Sequence, residues 1–107
     1  MSREKFKTLT EQMYYILLCL RKERHGTDIM AVVSELTEDR VHIGPGTLYH
    51  LLEQFQAAEM IRETKIEGRK RSYLLTEIGK DALRRENQRL RIQLYDYERE
   101  FGKENRY

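Results

Sequence analysis

The sequence predicts a mainly α-helical fold with one small β-hairpin: a winged helix-turn-helix followed by a long C-terminal helix. Three observations carry this prediction. Short segments with helical apolar spacing fill the first half of the chain, and two β-like runs flank a basic, glycine-containing turn at residues 67–70. Beyond them an apolar repeat with steps of four, three, four, three and four runs from Leu83 to Phe101.

Residues 8–22 read as the first helix. Thr8-x-x-Glu11 fits a capping box, and Leu9, Met13, Ile16, Leu17 and Leu20 share one face. Tyr14, Tyr15 and Leu18 spread apolar character around the cylinder, so this helix should touch its own core and something else. His25-Gly26 breaks the pattern, and residues 27–36 resume it with Ile29, Met30, Val33 and Leu36. Thr37-Glu38-Asp39-Arg40 reads as a turn, and Val41-His42-Ile43 as a very short strand or an extended lead-in. Gly44-Pro45-Gly46 opens the third helix, since proline is tolerated in a first helical turn where its missing N–H costs nothing. Leu48, Leu51, Leu52 and Phe55 then recur at helical spacing as far as Ala58. Residues 61–66 and 71–75 read as the two strands of a hairpin. Thr76 caps a helix from Glu77 to about Phe101, ended by Gly102.

The chain has 107 residues, of which 39% are hydrophobic and 36% charged. That supports one modest core and no large catalytic cleft, and it suits a domain that gains stability by pairing with a second copy. The net charge of +2 says little about partners, so the distribution of charge has to carry the argument. Cys19 is the single cysteine, which precludes an internal disulfide and fits a reducing cytoplasm. No apolar stretch approaches the roughly 18 residues of a membrane span, and the N-terminus lacks a signal-peptide core. A cytoplasmic location away from any membrane is expected. His25, His42, His50 and Cys19 lack metal-ligand spacing, and there is no nucleophile motif, phosphate-binding glycine loop or HExxH pair. No catalytic residue, cofactor or metal is expected, and the chain does not read as an enzyme.

Three constellations point instead to nucleic acid and to self-association. In a helix-turn-helix the start of the second helix of the motif meets base edges and phosphates in the major groove. Here Gly46, Thr47, Tyr49 and His50 stand there, on a helix N-terminus that favours anions, while Leu48, Leu51, Leu52 and Phe55 form a core stripe. The second is Gly68-Arg69-Lys70-Arg71, which concentrates positive charge at a hairpin tip where a wing would meet a DNA backbone or minor groove. The third is the heptad seam of Leu83, Asn87, Leu90, Leu94, Tyr97 and Phe101, with Asn87 as a polar residue of the sort that fixes register. A winged-helix adaptor that binds protein instead of DNA is the alternative. Its mark would be acidic residues on the reading helix and wing, whereas here the wing is basic and the helix is acidic only at Glu53 and Glu59.

These residues together resemble PadR-family transcriptional regulators of the short type, with a single C-terminal helix. The resemblance covers about residues 9–86 and rests on Leu9-Thr10-Glu11 before Tyr14-Tyr15-Ile16-Leu17, on His25-Gly26 before Asp28-Ile29, and on Ile43-Gly44-Pro45-Gly46-Thr47-Leu48-Tyr49. It closes with Gly68-Arg69 and Tyr73-x-Leu75-Thr76-x-x-Gly79. It implies a DNA-binding unit at 1–76, a dimerisation helix and tail at 77–107, and a homodimeric repressor on a pseudo-palindromic double-stranded operator. It further implies release by a small aromatic or cationic effector. By motif position Thr47, Tyr49 and the wing would contact DNA, while Tyr14 and Tyr15 match first-helix aromatics that face the DNA or the dimer, Tyr15 being assigned to the dimer interface. Two departures stand out: Thr27 occupies a position where the family usually has an aromatic, and the chain has no tryptophan. A stacking pocket for an effector would therefore draw on Tyr14, Tyr95 and Tyr97.

Overall fold

The computed structural model describes residues 7–102. The tail at 103–107, and the first six residues of the expected DNA-binding unit, lie outside them. The order of elements is α1 (Glu11–Cys19), β1 (Arg24–His25), α2 (Gly26–Leu36), α3 (Pro45–Ala57), β2 (Ile61–Glu67), β3 (Lys70–Leu75) and α4 (Glu77–Phe101). This is the winged helix-turn-helix with a long final helix. No described helix is long and apolar enough to cross a membrane.

α1 is shorter than its apolar spacing suggests. Its N-cap is Thr10, whose hydroxyl accepts from the Met13 amide at 3.2 Å, so Thr8 does not form the expected capping box. The cause lies far along the chain. Leu9 is buried, and its amide donates to the Glu86 carboxylate of α4 at 3.2 Å, which pulls the chain away from helical geometry before Thr10. At the other end the helix stops at Cys19 because the next residues are claimed by a sheet. The Leu75 amide donates to the Leu20 carbonyl at 2.9 Å, and the Arg24 side chain donates to the Cys19 carbonyl at 2.7 Å.

The sheet has three strands in the order β1-β3-β2, all antiparallel. The hairpin is as expected, but β1 was not legible in the sequence, because two residues show no alternation. Gly68 and Arg69 form the tip, and Gly68 takes φ +64°. A positive φ at the first position of a two-residue turn is open to glycine without strain and matches the twist of the strands. β2 carries a bulge between Glu63 and Lys65, pinned by a hydrogen bond from the Thr64 hydroxyl to Glu23.

The turn between α2 and α3 is built on Thr37, which is fully buried. Its hydroxyl donates to the Val33 carbonyl at 2.8 Å and accepts from the Val41 amide at 3.1 Å. Glu38 and Asp39 both sit at positive φ, and the Asp39 amide closes on Ser34 at 2.8 Å. Residues 41–43 are an extended lead-in rather than a strand, with Val41 and Ile43 buried and His42 exposed. One core joins the layers: Ile16, Leu17 and Leu20 of the first helical segment, Ile29 and Val33 of α2, Leu48, Leu52 and Phe55 of α3, and Ile61 and Leu75 of the hairpin.

α4 begins inside that core. Thr76 caps it by accepting from the Gly79 amide at 3.1 Å, and Gly79, Ala82, Leu83 and Glu86 are buried. Glu86 is 3% exposed and pairs with Arg89 while it caps the Leu9 amide. The hydrogen bond from Arg89, foremost, and that from the Leu9 amide hold its carboxyl below the usual carboxylate range, against the opposing effect of burial. A depressed carboxyl stabilises the fold above the unfolded-state value, about 4.3. That contribution is lost as the pH falls through the lower folded value. Glu86→Gln should therefore cost about 1–2 kcal/mol at neutral pH, and the gap to the unsubstituted protein should close in acid below the carboxylate range. Urea midpoints measured at both pH values check this, and a gap independent of pH would refute it.

Candidate nucleic-acid interface

α3 presents its N-terminus to solvent because of what it lacks. Gly44 is the N-cap and has no side chain to close the first turn, and Pro45 fills the first helical position. The first intrahelical amide in use is that of Leu48, bonded to the Gly44 carbonyl at 2.9 Å, so the amides of Gly46 and Thr47 point outward without helical acceptors. Gly46, Thr47, Tyr49 and His50 are all exposed there, and Leu48, Leu51, Leu52 and Phe55 form the buried stripe on the other side.

Tyr49 is both surface and packing. It is 45% exposed, yet its ring lies on α2: a Cβ at Gly26 would stand 3.3 Å from Tyr49 Cε1 and 3.5 Å from Tyr73 Cε2. Gly26 is thus the floor on which two phenols rest. The sequence marks it as a break in periodicity and as part of the His25-Gly26 motif, but not as a packing surface for the two rings.

The hairpin stands opposite. Between α3 and the wing lies an open groove of about 370 Å³, with Tyr49, Glu53 and Gln56 on one wall and Arg69, Lys70 and Arg71 on the other. Of the sequence-predicted DNA-contacting residues the groove brings together Tyr49, Arg69, Lys70 and Arg71, whereas Gly46, Thr47 and His50 at the start of α3 and Gly68 at the hairpin tip are exposed beside it and do not line it. Among the described residues neither Arg69 nor Lys70 has an ion-pair partner, but Arg71 does: its guanidinium donates to the Glu63 carboxylate at 2.9 Å. This contact raises the Arg71 pKa further. Tyr73, also on this face, has its phenol pushed up by burial first and by the Glu63 charge second.

The expected self-association residues divide into two groups. Leu83 belongs to the chain's own core, and the Asn87 amide group is engaged within the chain, accepting from the Tyr14 hydroxyl at 2.9 Å and donating to the Leu83 carbonyl at 2.9 Å. Leu90, Leu94, Tyr97 and Phe101 are exposed, with the Tyr97 and Phe101 rings 5.0 Å apart. Tyr15 is half-buried and meets Tyr14 edge-on at 5.3 Å. The expected effector tyrosines do not converge within one chain. Tyr14 is tied to Asn87, and Tyr95 lies eight residues further on, about 12 Å along the helix axis. Among the described residues there is no cluster of His, Cys, Asp or Glu fit for a metal. Cys19 is buried, and that burial pushes its thiol up to about 12, so it is a core residue rather than a reactive one.

A helix-turn-helix whose open helix end faces a basic wing defines a winged-helix, DNA-binding transcriptional regulator. Comparison with known proteins gives the family: the Transcriptional regulator PadR-like family matches residues 16–85, and the chain belongs to it. An uncharacterized 37.1 kDa protein of a Streptomyces fradiae transposon is 32% identical over 79 residues, which are 72% of this chain. The chain spans only 22% of that relative's length. RosR of H. salinarum superposes with a TM-score of 0.61 at 22% identity, covering 91% of this chain and 81% of that one. Pex of Synechococcus does so with a TM-score of 0.56 at 21% identity, covering 78% and 84%. At these identities the likeness to both structures is one of fold.

Proposed function

We propose that the chain works as a homodimeric repressor that grips double-stranded operator DNA with the α3 N-terminus and the wing. The groove flanked by both elements is the observation that carries this reading. The outward amides of Gly46 and Thr47, with the Thr47 and Tyr49 hydroxyls, suit phosphates, and His50, exposed one turn beyond Thr47, offers a ring nitrogen to a base edge or a phosphate. Arg69, Lys70 and Arg71 supply affinity that does not depend on sequence. The exposed run of Leu90, Leu94, Tyr97 and Phe101 calls for a cover, and a second copy provides one at the same helical spacing. Two reading helices would then meet successive major grooves, roughly 34–36 Å apart.

A small aromatic or cationic effector fits the same assembly. A cleft of about 330 Å³ separates the start of α1 from α4, with Tyr14, Tyr15, Glu86, Arg89 and Leu90 on its walls. A pocket that also used Tyr95 and Tyr97 would require both copies. The test is a gel shift with the DNA upstream of the chain's own gene, run alongside sedimentation of the free protein. Dimer-sized protein and a salt-sensitive shifted band are expected. A monomer that shifts no duplex at low salt would overturn the reading.

A further inference from the structure

We propose that Glu63 is a built-in stand-in for a DNA phosphate: it holds Arg71 in the free protein and so weakens the wing's non-specific grip on DNA. This inference rests on the DNA-binding reading above and adds a control on that site.

The geometry begins with the bulge. In a regular strand Glu63, Lys65 and Glu67 would share one face. The extra residue at Thr64 shifts the phase, so that Glu63 lies opposite Tyr73 while Lys65 lies opposite Ser72. Lys65 and Glu67 consequently turn to the face of β1, where Glu67 lies 3.9 Å from His25 and Ser72 bonds the same imidazole at 2.9 Å. Glu63 stays on the groove face with Tyr73 and Arg71. β2 thus directs one carboxylate away from the groove and keeps the other beside the wing's cations.

That remaining carboxylate is well placed to compete with DNA. Its side chain is 19% exposed, fixed against the sheet, whereas Arg71 is 57% exposed and long enough to swing outward. A carboxylate and a phosphate offer a guanidinium the same paired acceptors. An ion pair whose guanidinium is this exposed is only weakly held, so a phosphate held close by a well-fitted complex can displace it. A loosely held duplex, bound almost wholly by charge, gains less from Arg71 and is repelled by Glu63. The effect is to weaken non-specific binding.

The experiment measures binding of a labelled 20-base-pair duplex of arbitrary sequence across a salt series, for the full chain and for Glu63→Gln, which keeps the side chain's shape. The substitution should tighten binding several-fold in 50 mM salt. It should steepen the log–log salt dependence by about 0.9, so that the gain shrinks about threefold by 200 mM. Arg71→Ala should cost more affinity in the Glu63→Gln background than alone, whereas Glu67→Gln, on the other face, should leave the cost of Arg71→Ala unchanged. Binding that is unchanged or weaker in Glu63→Gln, or an equal cost of Arg71→Ala in both backgrounds, would overturn the proposal while leaving the DNA-binding reading intact. A chain that binds no duplex at any salt would overturn both.

Discussion

Replacing Gly79 with alanine is expected to destabilise the protein by about 3 kcal/mol or more. Helix propensity alone argues the other way, since alanine inside a helix is favoured over glycine by about 1 kcal/mol. Packing decides the sign. A Cβ at Gly79 would stand 2.2 Å from the Met60 carbonyl oxygen and 2.6 Å from Leu75 Cδ1. Met60 is not free to retreat, because the same carbonyl accepts from the Thr76 amide at 3.0 Å and the Met60 amide donates to the Phe55 carbonyl at 2.9 Å. The added methyl would have to push α4 off the end of α3 and the root of the wing. At roughly 4–8 °C per kcal/mol for a domain of this size, thermal melting followed by circular dichroism should show a Tm lower by more than 10 °C. A Tm equal to or above that of the unsubstituted chain would contradict the packing account of this junction.

The second large effect is on DNA. Changing Arg69, Lys70 and Arg71 together to alanine should weaken binding to any duplex and flatten its salt dependence. Three independent phosphate contacts would reduce the slope by about 2.7. Because Glu63 already occupies Arg71, the expected reduction lies nearer two contacts, about 1.8. Even so, the loss at 50 mM salt should be on the order of tenfold greater than at 200 mM. The fold should be untouched, since all three side chains are exposed on the hairpin. Fluorescence anisotropy over a salt series reads both quantities, and an unchanged slope would remove the wing from the interface.

Much of the fold that positions these residues is legible in the sequence, for a simple reason. Pro45, the Leu48–Leu51–Leu52–Phe55 stripe, the glycine turn at Gly68 and the Thr76 cap are local signals, and local signals fix local structure. α4 runs from Glu77 to Phe101 as its spacing predicts, with Gly102 at its end. What escaped the sequence depends on residues far apart. Glu86 resets the start of α1 across 77 positions. β1 exists only because β3 is there to pair with it, and the Thr64 bulge is held by Glu23 from another segment. Asn87 illustrates the limit of a heptad pattern: its spacing places it on a seam, but the Tyr14 hydroxyl takes it up within the chain. In the sequence Glu63 is one of several charges between residues 61 and 67, and only register shows which cation it meets.

The most direct test of the interface is amide chemical-shift mapping of the isotope-labelled chain during titration with a duplex it binds. The largest changes should fall on Gly46, Thr47, Tyr49 and His50 at the start of α3, and on Gly68, Arg69, Lys70 and Arg71 in the wing. Leu90, Leu94, Tyr97 and Phe101 should move little. Changes concentrated on α4, with the α3 N-terminus and the wing left unperturbed, would contradict DNA binding through α3 and the wing.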